Sequence, residues 1–255
     1  MSIVITVTNQ KGGVGKTTTA VNLAYYIAKG GKKTLLIDFD PQGNATSGLG
    51  VDKQSLQLTM ADVAMENAML DQVVAATNYK DFFLAPTMPI LANAEVELAQ
   101  AERRFSRLKN AIESSKANYD VVIIDSPPSL SLLTVNGLVA ANYVLLPVQA
   151  EFYALEGLGQ LLDAMKLVRK GMNPTLELLG VLPTMMDSRT VLSGQVHEEI
   201  KKHFPGKVFN EVIPRNIRLA EAPSHGLPIG AYDRFSKGAR AYKAFTKEVL
   251  NRVSI

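Results

Sequence analysis

The fold of this chain is decided by residues 9–18, which run Asn9-Gln10-Lys11-Gly12-Gly13-Val14-Gly15-Lys16-Thr17-Thr18. They follow a β-type run from Ile3 to Thr8 and lead into a helical pattern. Glycine lets the backbone adopt positive φ and turn its N–H groups toward an anion at the positive end of the next helix. We expect this of Gly12, Gly13 and Gly15, so the segment predicts a phosphate-binding loop.

The two lysines of this loop are predicted to differ in role. Lys16 would place a charge on the β- and γ-phosphates of a nucleotide, and Thr17 a hydroxyl on Mg²⁺. Lys11 lies too early in the loop to repeat that role, and Gln10 stands where the ordinary P-loop formula has a glycine. We therefore expect Lys11 to point outward, toward the nucleotide of a second molecule. The alternative is a glycine turn before a helix, with two solvated lysines.

The composition favours one large α/β domain covering residues 1–255. The 255 residues are 47% apolar and 20% charged, enough to bury a single core. Strand-like runs alternate with helical ones, which predicts βαβ units in a mostly parallel, twisted sheet with helices on both faces. The predicted strands are Ile3 to Thr8, Thr34 to Asp38, Phe82 to Ala85, Val121 to Asp125, Tyr143 to Pro147, Glu177 to Pro183 and Val208 to Phe209.

The composition also excludes several classes of protein. The absence of cysteine rules out disulfides and cysteine-ligated iron–sulfur clusters, and it favours the cytoplasm. There is no run of eighteen apolar residues, and the chain enters its first strand without the basic segment of a signal peptide. The net charge of +3 is too small to indicate a partner.

Two helical patterns are clear. Residues Thr17 to Ala28 predict a core helix that ends at Gly30-Gly31. Residues Asn93 to Ser114 predict a longer helix that carries Arg103, Arg104, Arg107 and Lys109. We interpret those four cations as a solvated face and assign them no function.

Three acids are candidates for the chemistry. Asp38 and Asp125 each end an apolar strand, which places a carboxylate beside a bound metal ion. We expect Asp125 to hold Mg²⁺ together with Thr17, and Asp38 to position the loop after its strand, although either acid could instead serve only as a cap. Asp40 lies in a turn-prone loop that can reach the γ-phosphate and orient the attacking water, unless it is merely an Asx-turn residue.

Residues 11–18 resemble the deviant Walker A box of the ParA/MinD ATPases. Further stretches resemble the ParA/Soj chromosome-partitioning branch, and the likeness runs from Ile3 to about Val249; these stretches are Asp38 to Thr46, Asp125 to Leu130, Ile213 to Asn216 and Glu221 to Gly226. The resemblance implies a P-loop ATPase that binds ATP and Mg²⁺. The nucleotide-binding residues would be Lys11, Gly12, Gly13, Val14, Gly15, Lys16, Thr17 and Thr18, and the catalytic ones Lys11, Lys16 and Asp40.

The resemblance also assigns loops that the residues alone leave open. It makes Asp40 the hydrolytic aspartate of switch I and places switch II at Ser126 to Ser129, where Ser131 and Gly137 depart from the family pattern. It makes Pro214 and Asn216 parts of the adenine-recognition loop, because an asparagine offers a base both a donor and an acceptor. From sequence alone, residues 214–216 would be interpreted as a simple turn.

Basic residues concentrate in the last quarter of the chain. A helix starting near Ser236 would place its cations in an arc of about 120°, opposite an apolar face with Tyr242 and Phe245. Such a face is either solvated or binds an anionic surface, and we expect it to contact DNA phosphates without reading bases. The DNA-binding candidates are Arg189, Arg218, Lys237, Arg240 and Lys243.

The leading hypothesis is an ATP-dependent DNA-partitioning switch, cytoplasmic and associated with the nucleoid. The resemblance implies an ATP-bound homodimer, weak intrinsic hydrolysis, non-specific DNA binding and a ParB-type centromere-binding partner. One alternative is a MinD-like positioning ATPase on a membrane, although too few large apolar residues are available for stable membrane association. Another is a metabolic P-loop ligase or reductase, which needs a small-substrate pocket.

Overall fold

The computed structural model describes residues 2–151, 157–187 and 189–255, and Ser188, next to the DNA-binding candidate Arg189, therefore lies outside the described residues. The strands are β1 (Ile3–Val7), β2 (Thr34–Asp38), β3 (Ala75–Ala76), β4 (Phe82–Ala85), β5 (Val121–Asp125), β6 (Tyr143–Gln149) and β7 (Glu177–Thr184). The helices are α1 (Lys16–Lys29), α2 (Asn44–Gly48), α3 (Met60–Ala64), α4 (Leu70–Val73), α5 (Leu91–Leu98), α6 (Arg107–Ser114), α7 (Leu132–Ala140), α8 (Leu158–Gly171), α9 (Val191–His203), α10 (Ile217–Glu221), α11 (Ile229–Tyr232) and α12 (Lys237–Arg252).

The described strands form one sheet in the order β3-β4-β2-β5-β1-β6-β7. All neighbours are parallel except β3, which pairs antiparallel with β4. The three central strands end level with each other, because Asp125 is the register partner of both Val7 and Asp38. The predicted mostly parallel sheet is confirmed, and its carboxyl edge is where such folds place their ligands.

Two apolar cores cover the two faces of this sheet. In β5 the side chains alternate, with Val122 and Ile124 in one core and Val121 and Ile123 in the other. The first core is closed by apolar residues of α3 to α9, and the second by α1, α11 and α12. Helices on both faces are therefore confirmed, and α1 and α12 share one face.

Most of the predicted strands are confirmed to within two residues at either end. The exception is Val208 to Phe209, where Val208 forms only an isolated bridge with Val181. The edge strand β3 was not predicted, because its two exposed alanines carry no alternating apolar pattern.

The long helix predicted over Asn93 to Ser114 is wrong, since α5 ends at Leu98 and α6 begins at Arg107. Arg103 lies in the left-handed region between them, at φ 54°. The guanidinium of Arg104 donates to Ala99 O at 3.0 Å, and that of Arg107 to Glu102 O at 2.7 Å. These side chains satisfy carbonyls that a continuous helix would bond internally.

The solvated-face interpretation is also wrong for one of the four cations. The side chain of Arg107 is only 10% exposed and pairs with Glu66. Arg103 and Arg104 are exposed, as expected, and Lys109 lies 3.9 Å from Glu113. Arg107 therefore fastens α6 to the segment after α3.

The core helix predicted from Thr17 to Ala28 is confirmed as α1, one residue longer at each end. It begins after Gly15 and ends at Gly30, and Gly31 has a φ of 88°. Its Thr19 hydroxyl lies 3.0 Å from the hydroxyl of Tyr242, which is fully buried in α12. The predicted C-terminal helix is thus present and packs directly on the helix of the phosphate loop.

None of the helices in the described residues is both long and apolar enough to span a bilayer.

Gly180 of β7 provides a test of this packing. A Cβ there would lie 2.6 Å from both Lys207 O and an Arg252 guanidinium nitrogen, and 2.7 Å from the ring of Phe209. We expect Gly180→Ala to lower the free energy of unfolding by about 1–3 kcal/mol in urea denaturation, because backbone must move to admit the methyl group.

The matched control is Gly194→Ala in α9, where no atom lies within 4 Å of the added Cβ. This variant should gain about 0.5–1 kcal/mol from helix propensity. If the two substitutions changed the free energy of unfolding equally, the described packing of β7 would be contradicted.

Candidate functional site

The backbone of the phosphate loop has the predicted shape at two of its three glycines. Gly13 and Gly15 have φ values of 74° and 90°, in the region that favours glycine. The expectation is wrong for Gly12, which lies outside that region and has no atom within 4 Å of an added Cβ. The chain's own conformation therefore does not require glycine at position 12.

The loop is held to the ends of two further strands. Asn9 donates to Pro147 O of β6 at 2.8 Å and accepts from Lys11 N at 3.0 Å. The Thr184 hydroxyl at the end of β7 donates to Val14 O at 2.8 Å. The loop is thus fixed to β6 and β7 before any ligand binds.

Lys16 lies inside the loop and is 6% exposed. Its Nζ donates to Lys11 O at 3.0 Å. Burial lowers the pKa of Lys16, and the charges of Asp125 and Asp40 oppose that shift. The Lys16 amine therefore lies near carboxylates at the base of the loop. A bound phosphate would compensate the amine for the hydration that it loses on burial.

Asp38 and Asp125 lie side by side beneath the loop, each with no exposed surface. Burial raises the pKa of Asp38 to about 6, against the hydrogen bonds from Thr46. Burial and the Asp38 charge raise the pKa of Asp125 well above its usual range, while the nearby Thr17 hydroxyl opposes this. Neither Asp125 oxygen has a partner within full hydrogen-bond geometry, and the same is true of Asp38 Oδ1.

These residues fit a divalent cation. Buried carboxylate oxygens without partners are costly unless a positive charge compensates them. Within the described residues, no cluster of three or more His, Cys, Asp and Glu side chains forms a protein-only cage. A few carboxylate oxygens, one nearby hydroxyl and open positions for phosphate suit Mg²⁺, which keeps several waters and uses one or two carboxylates.

Asp40 follows β2 and is 5% exposed. Its Oδ1 accepts from Gln42 N at 3.0 Å, and its carbonyl accepts from Gly43 N at 2.8 Å. Asp40 thus has the Asx-turn contact of the simpler interpretation. Its charge also acts on Lys16 and Asp125, so the turn holds this carboxylate at the phosphate loop.

Lys11 is paired within its own chain, through a residue that sequence analysis missed. Its Nζ lies 3.6 Å from Glu151, and Arg215 lies 3.7 Å from the other oxygen of that carboxylate. Glu151 carries no motif of its own, and its position two residues past β6 is the only signal that could have identified it. By pairing with both Lys11 and Arg215, Glu151 links the 214–216 loop to the phosphate loop.

The 214–216 loop extends the end of β7. Met186 bridges to Pro214, and Arg215 N donates to Met186 O at 3.0 Å. Asn216 caps α10, since its Oδ1 accepts from Arg218 N at 3.1 Å. One lone pair of the asparagine oxygen is therefore engaged at the start of α10, while the other lone pair and the amide N–H groups make no contact in that cap.

The segment in which the resemblance places switch II leads from β5 to α7. The Ser126 hydroxyl lies 3.0 Å from that of Thr6, and a Cβ on Gly137 would lie 3.0 Å from the same threonine oxygen. Glycine at position 137 thus allows α7 to approach β1 closely, which a larger residue would prevent.

The DNA-binding candidates lie on α10, α12 and the loop after β7, and they differ in their local charge. Arg189 makes two guanidinium contacts with Asp187, at 2.9 and 2.7 Å. Arg218 lies 2.8 Å from Glu221 and 3.7 Å from Asp233. Lys237, Arg240 and Lys243 are exposed, and no acid of the described chain lies within 4.0 Å of them.

Comparison with known proteins gives consistent results. A family model described as an AAA domain matches residues 2–178. The sporulation initiation inhibitor protein Soj of Bacillus subtilis is 52% identical over 98% of both chains. The chromosome-partitioning ATPase Soj of Treponema pallidum is 48% identical over 96% of this chain and 95% of its own.

Two solved structures extend the comparison. A cobyrinic acid a,c-diamide synthase from Mycobacterium smegmatis, with bound ADP and magnesium, superposes with a TM-score of 0.88 at 37% identity. That alignment covers 100% of this chain and 96% of the other. The septum site-determining protein MinD of Pyrococcus horikoshii, complexed with Mg-ADP, gives a TM-score of 0.79 at 25% identity over 98% and 96% of the two chains.

The buried acids predict an unusual pH dependence in the protein without nucleotide or divalent cation. A carboxyl whose folded pKa is raised contributes stability below its unfolded pKa, and that stability is lost as pH rises through the folded pKa. We therefore expect Asp125→Asn to raise the melting temperature by several degrees near pH 7, and by less near pH 5, in scanning calorimetry with EDTA.

The control is Asp163→Asn on α8, where the acid is exposed and paired with Lys166. Asp163→Asn should change the melting temperature little at every pH. A loss of stability in Asp125→Asn that grows with pH would contradict the charge repulsion inferred here.

Proposed function

Because this chain belongs to the ParA/Soj family of chromosome-partitioning ATPases, we propose that residues 1–255 act as one ATP-dependent DNA-partitioning switch. The chain binds ATP with Mg²⁺, pairs with a second copy, and holds DNA as that dimer. Hydrolysis, slow on its own, returns the monomer. The observation that carries this proposal is the buried Lys16 close to Asp125, whose two carboxylate oxygens have no hydrogen-bond partner in the described chain.

Each part of the site has a role in this proposal. The N–H groups of residues 12–18 surround the phosphates, and Lys16 binds the β- and γ-phosphates. Thr17 and Asp125 hold Mg²⁺, which neutralises charge on the phosphates. Asp40 orients the attacking water, while Pro214 and Asn216 contact the adenine.

The second copy enters through Lys11. In the single chain this lysine faces Glu151, and both side chains are partly exposed, at 35% and 47%. Such an exposed pair is weak, so a phosphate of the partner's ATP can replace the Glu151 carboxylate. Lys11 is therefore available to cross to the other nucleotide, as the sequence suggests.

DNA binding is assigned to α12 and its neighbours. Lys237, Arg240 and Lys243 of α12 have no acidic partner within 4.0 Å in the described chain, and phosphate contacts from both copies of the dimer would add. A ParB-type centromere-binding protein would then accelerate hydrolysis on a nucleoid-bound, cytoplasmic dimer.

A MinD-like membrane ATPase is the second candidate. A membrane anchor needs an apolar helix face that is free to leave the protein. The large apolar residues of α12, Tyr242, Phe245 and Val249, are buried in the core against α1. Pelleting with anionic vesicles in ATP tests this candidate directly, and we expect the protein to stay in the supernatant.

A metabolic ligase is the third candidate, which the name of the Mycobacterium smegmatis relative brings into consideration. A cavity of about 440 Å³ does lie beside Thr17 and Thr18, between α2 and Pro223. No charged residue of the described chain lines it. A ligase that amidates an acid would need cations to bind its carboxylates, so this cavity does not favour that function.

The two lysines of the loop should separate experimentally. Lys16→Ala should weaken ATP binding by about 100-fold or more, because it removes a buried charge-assisted contact. Lys11→Ala should bind ATP normally but stay monomeric in light scattering with ATP and Mg²⁺.

The control for both is Lys80→Ala, an exposed lysine just before β4 at the opposite edge of the sheet. It should bind ATP and dimerise like the unmodified protein. Normal dimerisation of Lys11→Ala would show that Lys11 does not cross to the partner.

DNA affinity should depend on salt and not on base sequence. Each lost phosphate contact should lower the slope of log K against log salt by about 0.9, and a dimer counts every contact twice. Reversing Lys237 and Arg240 to Glu should therefore reduce the slope more than reversing Arg189 and Arg218, whose charges are already paired.

The matched control reverses Arg169 and Lys170 at the end of α8, on the other face of the sheet. It changes the net charge equally and should leave the slope unchanged. If all three double variants kept the native slope, the basic face would be only a solvated one.

A further inference from the structure

The loop that carries Asp40 is closed at both ends by one side-chain contact. Asp38 is the last residue of β2, and Thr46 is the third residue of α2. Asp38 Oδ2 accepts from Thr46 N at 2.7 Å and from the Thr46 hydroxyl at 2.6 Å. These are charge-assisted hydrogen bonds between groups with no exposed surface, where such bonds are strong.

The Thr46 hydroxyl also ties this loop to a second strand. It accepts from Thr87 N at 3.0 Å, just beyond the end of β4. Since its single proton points to Asp38, the hydroxyl must use a lone pair for Thr87. One oxygen therefore joins the ends of β2 and β4 to the start of α2. Valine has a similar shape but can neither donate a hydrogen bond to Asp38 nor accept one from Thr87 N.

The residues between the two ends have little freedom of their own. Phe39 N donates to Asp125 O at 2.9 Å, and the Asp40 turn is closed by Gly43 N and Gln42 N. Gly43 has a φ of 60°, and Lys53 Nζ donates to Gln42 O at 2.7 Å. The position of the Asp40 carboxylate thus depends on where α2 begins, and Thr46 sets that point.

We propose that Thr46 is a positioning residue for ATP hydrolysis: its hydroxyl fixes α2 to Asp38 and Thr87, and so holds the Asp40 carboxylate at the phosphate loop. The proposal rests on the proposed function, since it takes Asp40 as the residue that orients the water. Thr46 itself touches neither nucleotide nor metal. It acts only through the loop that it closes.

The primary test compares Thr46→Val with Thr46→Ser, which differ in whether the hydroxyl remains. Thr46→Val should lower kcat for ATP at least tenfold with little change in KM or in ATP affinity, because a displaced group costs rate and not binding. Thr46→Ser should hydrolyse within about twofold of the unmodified protein. Native kcat in Thr46→Val would overturn the proposal.

A second measurement needs no nucleotide. In the free protein, amide hydrogen exchange at Gly43 and Thr46 should rise at least tenfold in Thr46→Val and stay native in Thr46→Ser. Unchanged exchange at both amides in Thr46→Val would mean that the hydroxyl does not hold the loop.

A double-mutant cycle with Asp40→Ala separates positioning from general damage. If Thr46 acts through Asp40, adding Thr46→Val to Asp40→Ala should lower the hydrolysis rate no further. If the double variant instead lost hydrolysis rate by the product of the two single-variant losses, the proposal would be overturned. If Thr46→Val fails to fold, Thr46→Ala replaces it in the cycle, because alanine removes the same hydroxyl without placing a methyl group against the buried Asp38 carboxylate.

The failure of the proposed function would look different. In that case the unmodified protein would not hydrolyse ATP at all, and the exchange experiment would still test whether Thr46 closes the loop. A hydrolysing protein with no response to Thr46→Val would reject this inference alone.

Discussion

The parallel register of three central strands is the constraint on which the site depends. Because Asp125 is level with both Val7 and Asp38, the end of β1 delivers the phosphate loop directly above two buried carboxylates. Neither acid could remain there without compensation, since burial raises the pKa of both. The same packing that forms the core therefore leaves buried negative charge at the carboxyl edge of the sheet. Lys16 neutralises part of this charge, and a divalent cation would neutralise the rest.

The surrounding loops hold the side chains on which the proposed switch depends. Asp40 and Lys11 lie in loops fastened by side chains, Asp40 by the Thr46 contact with Asp38 and Lys11 by Asn9 and Glu151. Helix α1 begins in the phosphate loop and contacts α12 through the Thr19 and Tyr242 hydroxyls. The phosphate loop and the basic face are thus carried by adjacent helices on one side of the sheet, which gives the proposed ATP-controlled DNA binding a direct structural connection.

Much of the fold and of the candidate site could be predicted from the sequence, wherever a local motif or a periodic apolar pattern marks the structure. The apolar runs ending in Asp38 and Asp125, and the glycine loop before α1, carry their own patterns. The break at Arg103 could not be predicted, because guanidinium contacts with carbonyls five residues earlier leave no periodic pattern in the sequence, and they outweigh helix propensity there. Nor could the Lys11 contact with Glu151 or the Thr87 contact with Thr46, which join residues far apart in the chain and depend on how strand ends align.

The most direct test of the central claim is retention of random-sequence duplex DNA by the unmodified protein. It would be measured with ATP and Mg²⁺, with ADP and Mg²⁺, and without nucleotide, at one fixed salt concentration, because affinity for DNA is meaningful only at a stated salt. The account predicts firm retention with ATP and little with ADP or no nucleotide, irrespective of the DNA sequence. Equal retention in all three conditions, or none in any, would contradict it.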